Sequence, residues 1–231
     1  MRDNNFIIEN NAKHLWHPMG APRDSINNPP KVITKANGSQ ISDIDGHTTV
    51  DAVGGLWCVN LGYSNETVKK AISEQLNHLP YYSGFAGTTN PAAIEASFMV
   101  KEMFKADGME KVFFTSGGSD SVETCLRLSR QYHRLRGEPT RTKFISLKKG
   151  YHGTHFGGAS VNGNNRFRIA YEPLLPGCFH LPSPYTYRNP FNETDAQKLA
   201  LNIAQAFEDE IAFQDKNTIA AFIMEPIQGA G

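Results

Sequence analysis

Apolar and polar positions alternate in three short runs near the start of the chain, Lys31–Lys35, Gln40–Ile44 and Thr48–Ala52. Asn37-Gly38 and Asp45-Gly46 stand between them. The stretch predicts a small antiparallel meander, because strand side chains alternate faces and such dipeptides supply the positive φ of tight turns. From Asn65 to Leu79 the period changes. Val68, Ile72, Leu76 and Leu79 recur at helical spacing, which predicts a helix capped by Ser64 or Asn65. Asn90-Pro91 opens a further helix with Ile94, Phe98 and Val100 inside it. Lys111–Thr115 is an apolar run of strand length that ends in Ser116-Gly117-Gly118-Ser119-Asp120. Val122, Leu126 and Leu128 then mark a helix that Gly137 closes. Lys143–Leu147 predicts a strand leading into Gly150-Tyr151-His152-Gly153. A Gly/Asn/Pro-rich excursion over 157–193 precedes a long helix from Asp195 to Phe213, and Ile219–Met224 predicts the last strand. Apolar strands alternating with helices predict an α/β fold, its mostly parallel sheet covered on both faces. The first forty residues carry Pro18, Pro22, Pro29 and Pro30 and predict an irregular wrapping arm hooked by Trp16 and His17.

Charge narrows the partners. The 231 residues balance 23 Lys and Arg against 23 Asp and Glu. Nucleic-acid and anionic-membrane surfaces need clustered positive charge, so neither partner is expected. The chain is long enough for a buried core, and its 14 Phe and 8 Tyr argue against disorder. Cys58, Cys125 and Cys178 are widely spaced and form no CxxC pair. No disulfide framework or zinc ribbon is expected, and a reducing, cytoplasmic compartment is. No apolar run reaches the roughly 18 residues of a transmembrane helix, and the polar start Met1–Asn5 leads into no signal-type apolar core.

The strongest local chemistry is the strand–Ser-Gly-Gly-Ser–helix junction. Glycines let the backbone approach a ligand closely, and a helix start offers unpaired N–H groups at the positive end of the macrodipole. A phosphate fits such a site, with the Ser119 hydroxyl as an extra donor. A ligand-free Gly-rich turn, common in α/β folds, fits the same pattern and is the more frequent case. It is neither a Walker A sequence nor a full GxGxxG. Asp120 and Glu123 suit a first helical turn by charge alone, and both are expected to point away from any anion. Tyr151 follows a strand, where open α/β sheets bind ligands, and its ring can stack on a heteroaromatic group or simply pack. His152 can act as an acid–base group or merely hydrogen-bond its loop. Glu225-Pro226 follows an apolar strand, and the carboxylate there is either functional or an ordinary surface Glu. Trp57 in its Gly-flanked segment lines either a core or a pocket. Phe85 belongs to an aromatic loop, Tyr81-Tyr82-Ser83-Gly84-Phe85, that suits internal packing or an interface.

Together these pieces resemble the fold-type I, pyridoxal-phosphate-dependent class III aminotransferases, in their ω-amino acid–pyruvate branch. The resemblance is carried by Gly55-Leu-Trp-Cys-Val-Asn-Leu-Gly-Tyr63, Leu79-Pro-Tyr-Tyr82 and Val112-Phe-Phe-Thr-Ser-Gly-Gly-Ser-Asp120. It continues in Gly150-Tyr-His-Gly-Thr154, Gly158-Ala-Ser160 and Met224-Glu-Pro-Ile-Gln-Gly229, so it covers nearly the whole chain. It implies that Gly118 and Ser119 bind the phosphate of pyridoxal 5′-phosphate, that Tyr151 stacks on its pyridine ring and that Glu225 sits beside that ring. Trp57, Tyr151 and Phe85 are implied to bind substrate, Phe85 by reaching the partner subunit's site in a homodimer. The family usually has Asn-Ser-Gly-Ser-Glu where this chain has Ser116-Gly117-Gly118-Ser119-Asp120, which removes a hydroxyl at Gly117 and shortens the acid at Asp120.

The resemblance also places the Schiff-base Lys and the Asp of the pyridinium nitrogen beyond Glu-Pro-Ile-Gln-Gly. No catalytic residue is therefore expected within this chain, and Lys148 and Lys149 match no catalytic position. The fold expected is an incomplete PLP-transferase fold type I. Residues 1–60 form an N-terminal arm and meander belonging to the small domain. Residues 61–231 form the N-terminal part of the large cofactor-binding domain, with the C-terminal half absent. Such a chain is expected to be inactive alone and aggregation-prone, with 219–224 as a raw sheet edge. The function implied is amino-group transfer from an ω-amino acid or amine to a keto acid such as pyruvate, with Leu15–Met19 and 150–190 nearest the taurine–pyruvate enzymes. Two alternatives remain: a non-catalytic truncated product that only binds a partner, and an unrelated nucleotide-binding α/β transferase. The second needs an acidic residue about 20 positions past the Gly-rich turn. Glu138 stands about there but after the helix-ending Gly137.

Overall fold

A computed structural model describes residues 2–230 of the chain. Two compact units are present, residues 1–99 and residues 100–231.

The first unit opens with α1 (Asn4–His14), whose N-cap Asp3 accepts a hydrogen bond from the Phe6 N–H at 2.8 Å, and α2 (Pro22–Asn27). The arm expected to be irregular is thus partly helical. Its cap and its first-position Pro act locally, while its apolar residues follow no clear helical stripe. Trp16 Nε1 donates to Gly20 O at 3.0 Å, which closes the turn between the two helices. The meander forms as predicted from β1 (Ile33–Asn37), β2 (Gln40–Asp43) and β3 (Thr48–Val50), antiparallel in the order β1-β2-β3. A short helical segment, α3 (Gly54–Trp57), then turns through left-handed backbone at Gly55 and Leu56. Next comes α4 (Glu66–His78), capped by Asn65 Oδ1 accepting from the Val68 N–H. Its predicted stripe of Val68, Ile72 and Leu76 exists but stays exposed among the described residues. Pro91 opens α5 (Pro91–Met103).

The second unit is built on a three-stranded parallel sheet. Its helices are α6 (Gly118–Leu135), α7 (Phe156–Val161) and α8 (Ala196–Gln214), and its strands are β4 (Lys143–Leu147), β5 (Cys178–Leu181) and β6 (Ile219–Ile223). The strand order is β5-β4-β6, with Phe144 opposite Cys178 on one side and Ala221 on the other. The central strand serves two cores because its side chains alternate. Ile145 and Leu147 join Leu181, Ile219, Phe207 and Ile211 on the α8 face. Phe144 joins Leu126, Val122 and Val161 on the α6 and α7 face. Helices therefore cover both faces, as the pattern predicted.

Two elements differ from expectation. Lys111–Thr115 is not a strand, and Phe113 and Phe114 are exposed. A strand is a paired state, and this run has no ladder partner among the described residues. The third sheet strand is instead β5, inside the excursion that also holds α7. Pro176-Gly177 and Pro182 bracket it so closely that turn signals outweigh its short apolar content. β6 is an edge strand of this sheet, with Phe222 and Met224 partly exposed.

Candidate functional site

The junction into α6 is an open backbone cradle. Gly117 caps the helix in extended conformation without a side-chain bond. A Cβ at Gly117 or Gly118 would meet nothing within 4 Å, so the first turn faces free space. The N–H groups of Gly118, Ser119 and Asp120 carry no hydrogen bond among the described residues, whereas Ser121 N–H donates to Gly117 O. These are the orphan donors of a helix start. Thr115 Oγ1 lies 2.5 Å from Ser121 Oγ and braces the turn from outside the helix.

The loop after β4 closes onto this cradle. Thr154 N–H donates to Ser119 Oγ at 3.1 Å, which leaves the Ser119 hydroxyl proton free to donate elsewhere. Gly153 makes the closure possible. Its φ is +97°, and a Cβ there would stand 2.7 Å from Ser119 Oγ and 2.9 Å from Ser119 Cα. Glu225, just past β6, ties in the other end: its Oε2 accepts from the Tyr151 N–H at 2.9 Å and its Oε1 from Gly229 N–H at 3.2 Å. The Tyr151 ring meets Phe167 edge-on, with centroids 4.8 Å apart at 62°. Gly118, Ser119, Tyr151 and Glu225 are thus linked by one loop at the carboxyl ends of β4 and β6.

Both acids of the α6 first turns are engaged away from the open N–H groups. The Ser116 hydroxyl donates to Asp120, and Asp120 Oδ1 lies 3.3 Å from His155 Nδ1. Glu123 Oε1 accepts from Gly157 and Gly158 N–H at 2.6 and 3.0 Å and so caps α7. A negative group at the cradle would not meet either carboxylate unpaired.

Behind the loop lies a residue that no motif indicated. Asn162, fully buried, accepts from the His152 N–H and donates from Nδ2 to Gly153 O at 2.7 Å. It holds the backbone on both sides of the Tyr151–Gly153 turn. In the sequence, Asn162-Gly163 is a common turn dipeptide and carries no sign of this role. Glu123 as the α7 cap and Phe167 as the neighbour of Tyr151 were equally invisible.

Burial tunes the histidines here. His180 on β5 is pushed down to about 4 by burial and then by Arg168, whose Nη1 lies 3.0 Å from the ring Nε2. A histidine depressed in the fold contributes stability that is fully present above its ordinary value of 6.5 and is lost as pH falls toward 4. The denaturation midpoint is accordingly expected to drop between pH 7 and pH 4.5 more steeply in the wild type than in His180→Gln. Equal slopes in urea titrations of the two proteins would contradict this.

Trp57 and Phe85 lie in the first unit. Asp51 fixes the turn that carries Trp57, accepting from Gly55 N–H at 2.7 Å and from the Tyr63 hydroxyl at 2.6 Å. The Tyr63 hydroxyl and the neighbouring N–H groups hold the Asp51 carboxyl below its usual range. Trp57 and Phe85 are both exposed, Phe85 in a segment without regular structure. Asp43, Asp45 and His47 group their ligand atoms within 4.8 Å at the β2–β3 turn, where Asp43 already accepts from the His47 N–H at 2.9 Å. Among the described residues no helix is long and apolar enough to cross a membrane.

Comparison with known proteins bears on this geometry. The family described as Aminotransferase class-III matches residues 22–231. The putrescine–pyruvate aminotransferase of Pseudomonas aeruginosa is 35% identical over 87% of this chain and 44% of its own length. The omega-aminotransferase of Caulobacter vibrioides is 32% identical over 96% of this chain and 50% of its own. Among solved structures, a PLP-bound amine transaminase from an uncultivated Pseudomonas species is 44% identical with a TM-score of 0.90, covering 94% of this chain and 49% of that one. The chain spans about half the length of the curated relatives it matches.

Proposed function

The chain belongs to the class III aminotransferase family, and from this we propose that it carries the phosphate- and ring-holding part of a site for amino-group transfer. The family's cofactor is pyridoxal 5′-phosphate, which when bound supplies the electrophilic carbon and the electron sink for moving an amino group. This chain's residues supply the hold. The α6 first turn offers the Gly118 and Ser119 N–H groups and the Ser119 hydroxyl to a phosphate. Tyr151 offers its ring face to a pyridine, with Glu225 anchoring its backbone. Trp57 and Phe85 are proposed to line the substrate pocket, Phe85 across a homodimer interface. Residues 1–60 are assigned to the small domain and 61–231 to the large one, in a cytoplasmic protein.

The donor is proposed to be an ω-amino acid or amine and the acceptor a keto acid such as pyruvate; the Pseudomonas aeruginosa relative is named for putrescine and pyruvate. Neither lysine near the loop is assigned as the Schiff-base residue, and Lys149 Nζ stands 4.2 Å from the Tyr185 ring centroid.

The observation that carries this reading is the closure of the Tyr151 loop onto an open helix start through Thr154 N–H and Ser119 Oγ. Pyridoxamine 5′-phosphate tests it, since its binding needs no Schiff-base lysine. It is expected to bind far more tightly than phosphate-free pyridoxamine, and Ser119→Ala to weaken it about ten- to a hundredfold, the range of a hydrogen bond to a charged group. Equal affinity for both ligands, measured by fluorescence titration, would overturn the assignment.

A further inference from the structure

The imidazole of His152 has no part in the site described above, yet it is unusually placed. His152 is 6% exposed, and its Nε2 is enclosed without a hydrogen-bond partner among the described residues. An unpaired buried polar atom costs about 1–3 kcal/mol, so a ring kept only to fill space would be better served by an apolar one. Nor does the ring hold the loop backbone, since Asn162 does that on both sides.

What the ring faces is specific. Nε2 stands 3.1 Å, and Glu225 Oε2 3.6 Å, from the single point where a Cβ of Gly150 would be. The imidazole and the carboxylate therefore border the space that a Gly150 side chain would take, together with the Leu147 carbonyl oxygen at 3.1 Å. That same Oε2 accepts the Tyr151 N–H. Burial holds His152 below the usual histidine range, and Glu225 is the group that opposes it by favouring the charged ring. The other titratable groups around it are accounted for. His180 on β5 responds to His152 and is itself kept neutral beside Arg168 and Lys148. Glu123 on α6 is taken up by the α7 N–H groups, and α7 packs on the His152 carbonyl at Gly158.

We propose that His152 is a positioning residue for Glu225, standing behind Gly150 and setting whether the carboxylate stays on the Tyr151 N–H. With the ring neutral, Glu225 Oε2 is free to hold that N–H and the loop presents Tyr151 to the cradle side. A proton on Nε2 creates a buried cation on the far side of Gly150, which draws the carboxylate inward and releases the Tyr151 backbone. The shared placement of the two groups beside Gly150 stands on geometry, and its consequence for ligand binding rests on the proposed cofactor site.

Imidazole and amide NMR of the labelled protein tests this coupling without any ligand. The His152 titration midpoint is expected to fall in Glu225→Gln, which removes the charge that favours the protonated ring. The Tyr151 amide resonance is expected to follow the His152 midpoint in the wild type and to lose that inflection in His152→Asn and His152→Gln. With pyridoxamine 5′-phosphate, wild-type affinity is expected to fall about tenfold more than that of His152→Asn between roughly pH 8 and pH 5. Comparing the two proteins cancels the ligand's own titration. A His152 midpoint unmoved in Glu225→Gln, or a Tyr151 amide indifferent to it, overturns the inference even where a variant fails to fold, because either arm decides it. A wild-type protein that shows the coupling but binds no pyridoxamine 5′-phosphate supports the positioning role and overturns the cofactor reading instead.

Discussion

Asn162→Leu is expected to lose about 2–6 kcal/mol of folding stability, because it strands two backbone groups in the interior. Asn162 is fully buried, and its side chain pairs with the His152 N–H and the Gly153 carbonyl. Leucine has the same branched outline but offers neither an acceptor nor a donor. Each orphaned group then costs about 1–3 kcal/mol of desolvation that water cannot repay inside the fold. The two groups flank the turn that carries Tyr151, so the loop loses its inner anchor as well as its stability. Asn162→Asp separates the two bonds. It keeps the acceptor for His152 N–H but turns a second oxygen toward Gly153 O, and is expected to fall between the wild type and the leucine variant. Chemical denaturation reads both; a leucine variant within about 0.5 kcal/mol of the wild type would show that the backbone groups find other partners.

Gly153→Ala is the second large effect, and its cause is geometric. At φ +97° an alanine is strained by itself, at about 1–3 kcal/mol for a residue held in such a region. Its Cβ would also stand 2.9 Å from Ser119 Cα, a backbone atom of α6 that no side-chain rotation can move aside. The loop must back away from the helix, and the Thr154 N–H to Ser119 Oγ bond of 3.1 Å opens. A loss of about 2–4 kcal/mol is expected, together with weaker binding of pyridoxamine 5′-phosphate. Gly118→Ala is the informative contrast. Its Cβ meets nothing within 4 Å, and alanine favours a helix over glycine by about 1 kcal/mol, so stability is expected to hold or rise. The new methyl stands in the open cradle, and phosphate binding is expected to fall. If both variants lose stability equally, the cradle is not the free space described.

Much of this was legible along the chain. β4, β6, α4, α6 and α8 follow from local periodicity and caps, as at Asp195, whose carboxylate accepts from the Lys198 N–H at 2.9 Å. Gly118, Ser119, Tyr151 and Glu225 stood out as candidates because a Gly-rich turn and a strand end have recognisable local chemistry. The misses have a common cause. Lys111–Thr115 has strand composition, but a ladder needs a second strand, which composition cannot supply. The Cys178–Leu181 strand hides between prolines because its pairing to β4 is what makes it a strand.

What the amino-acid sequence by itself determined is the set of local states: which stretches coil, which extend, where the turns fall and which side chains carry usable chemistry. The tertiary structure alone decided how those chemistries combine. The Tyr151 N–H meets the Glu225 carboxylate across 74 positions, and the Thr154 N–H meets the Ser119 hydroxyl across 35. It also decided that His152 loses its water while Asn162, ten residues on, becomes the partner of its backbone. Propensity and capping act over about one turn of chain. Desolvation and hydrogen-bond pairing act through space, and they exist only once the sheet and its helices have closed around the loop.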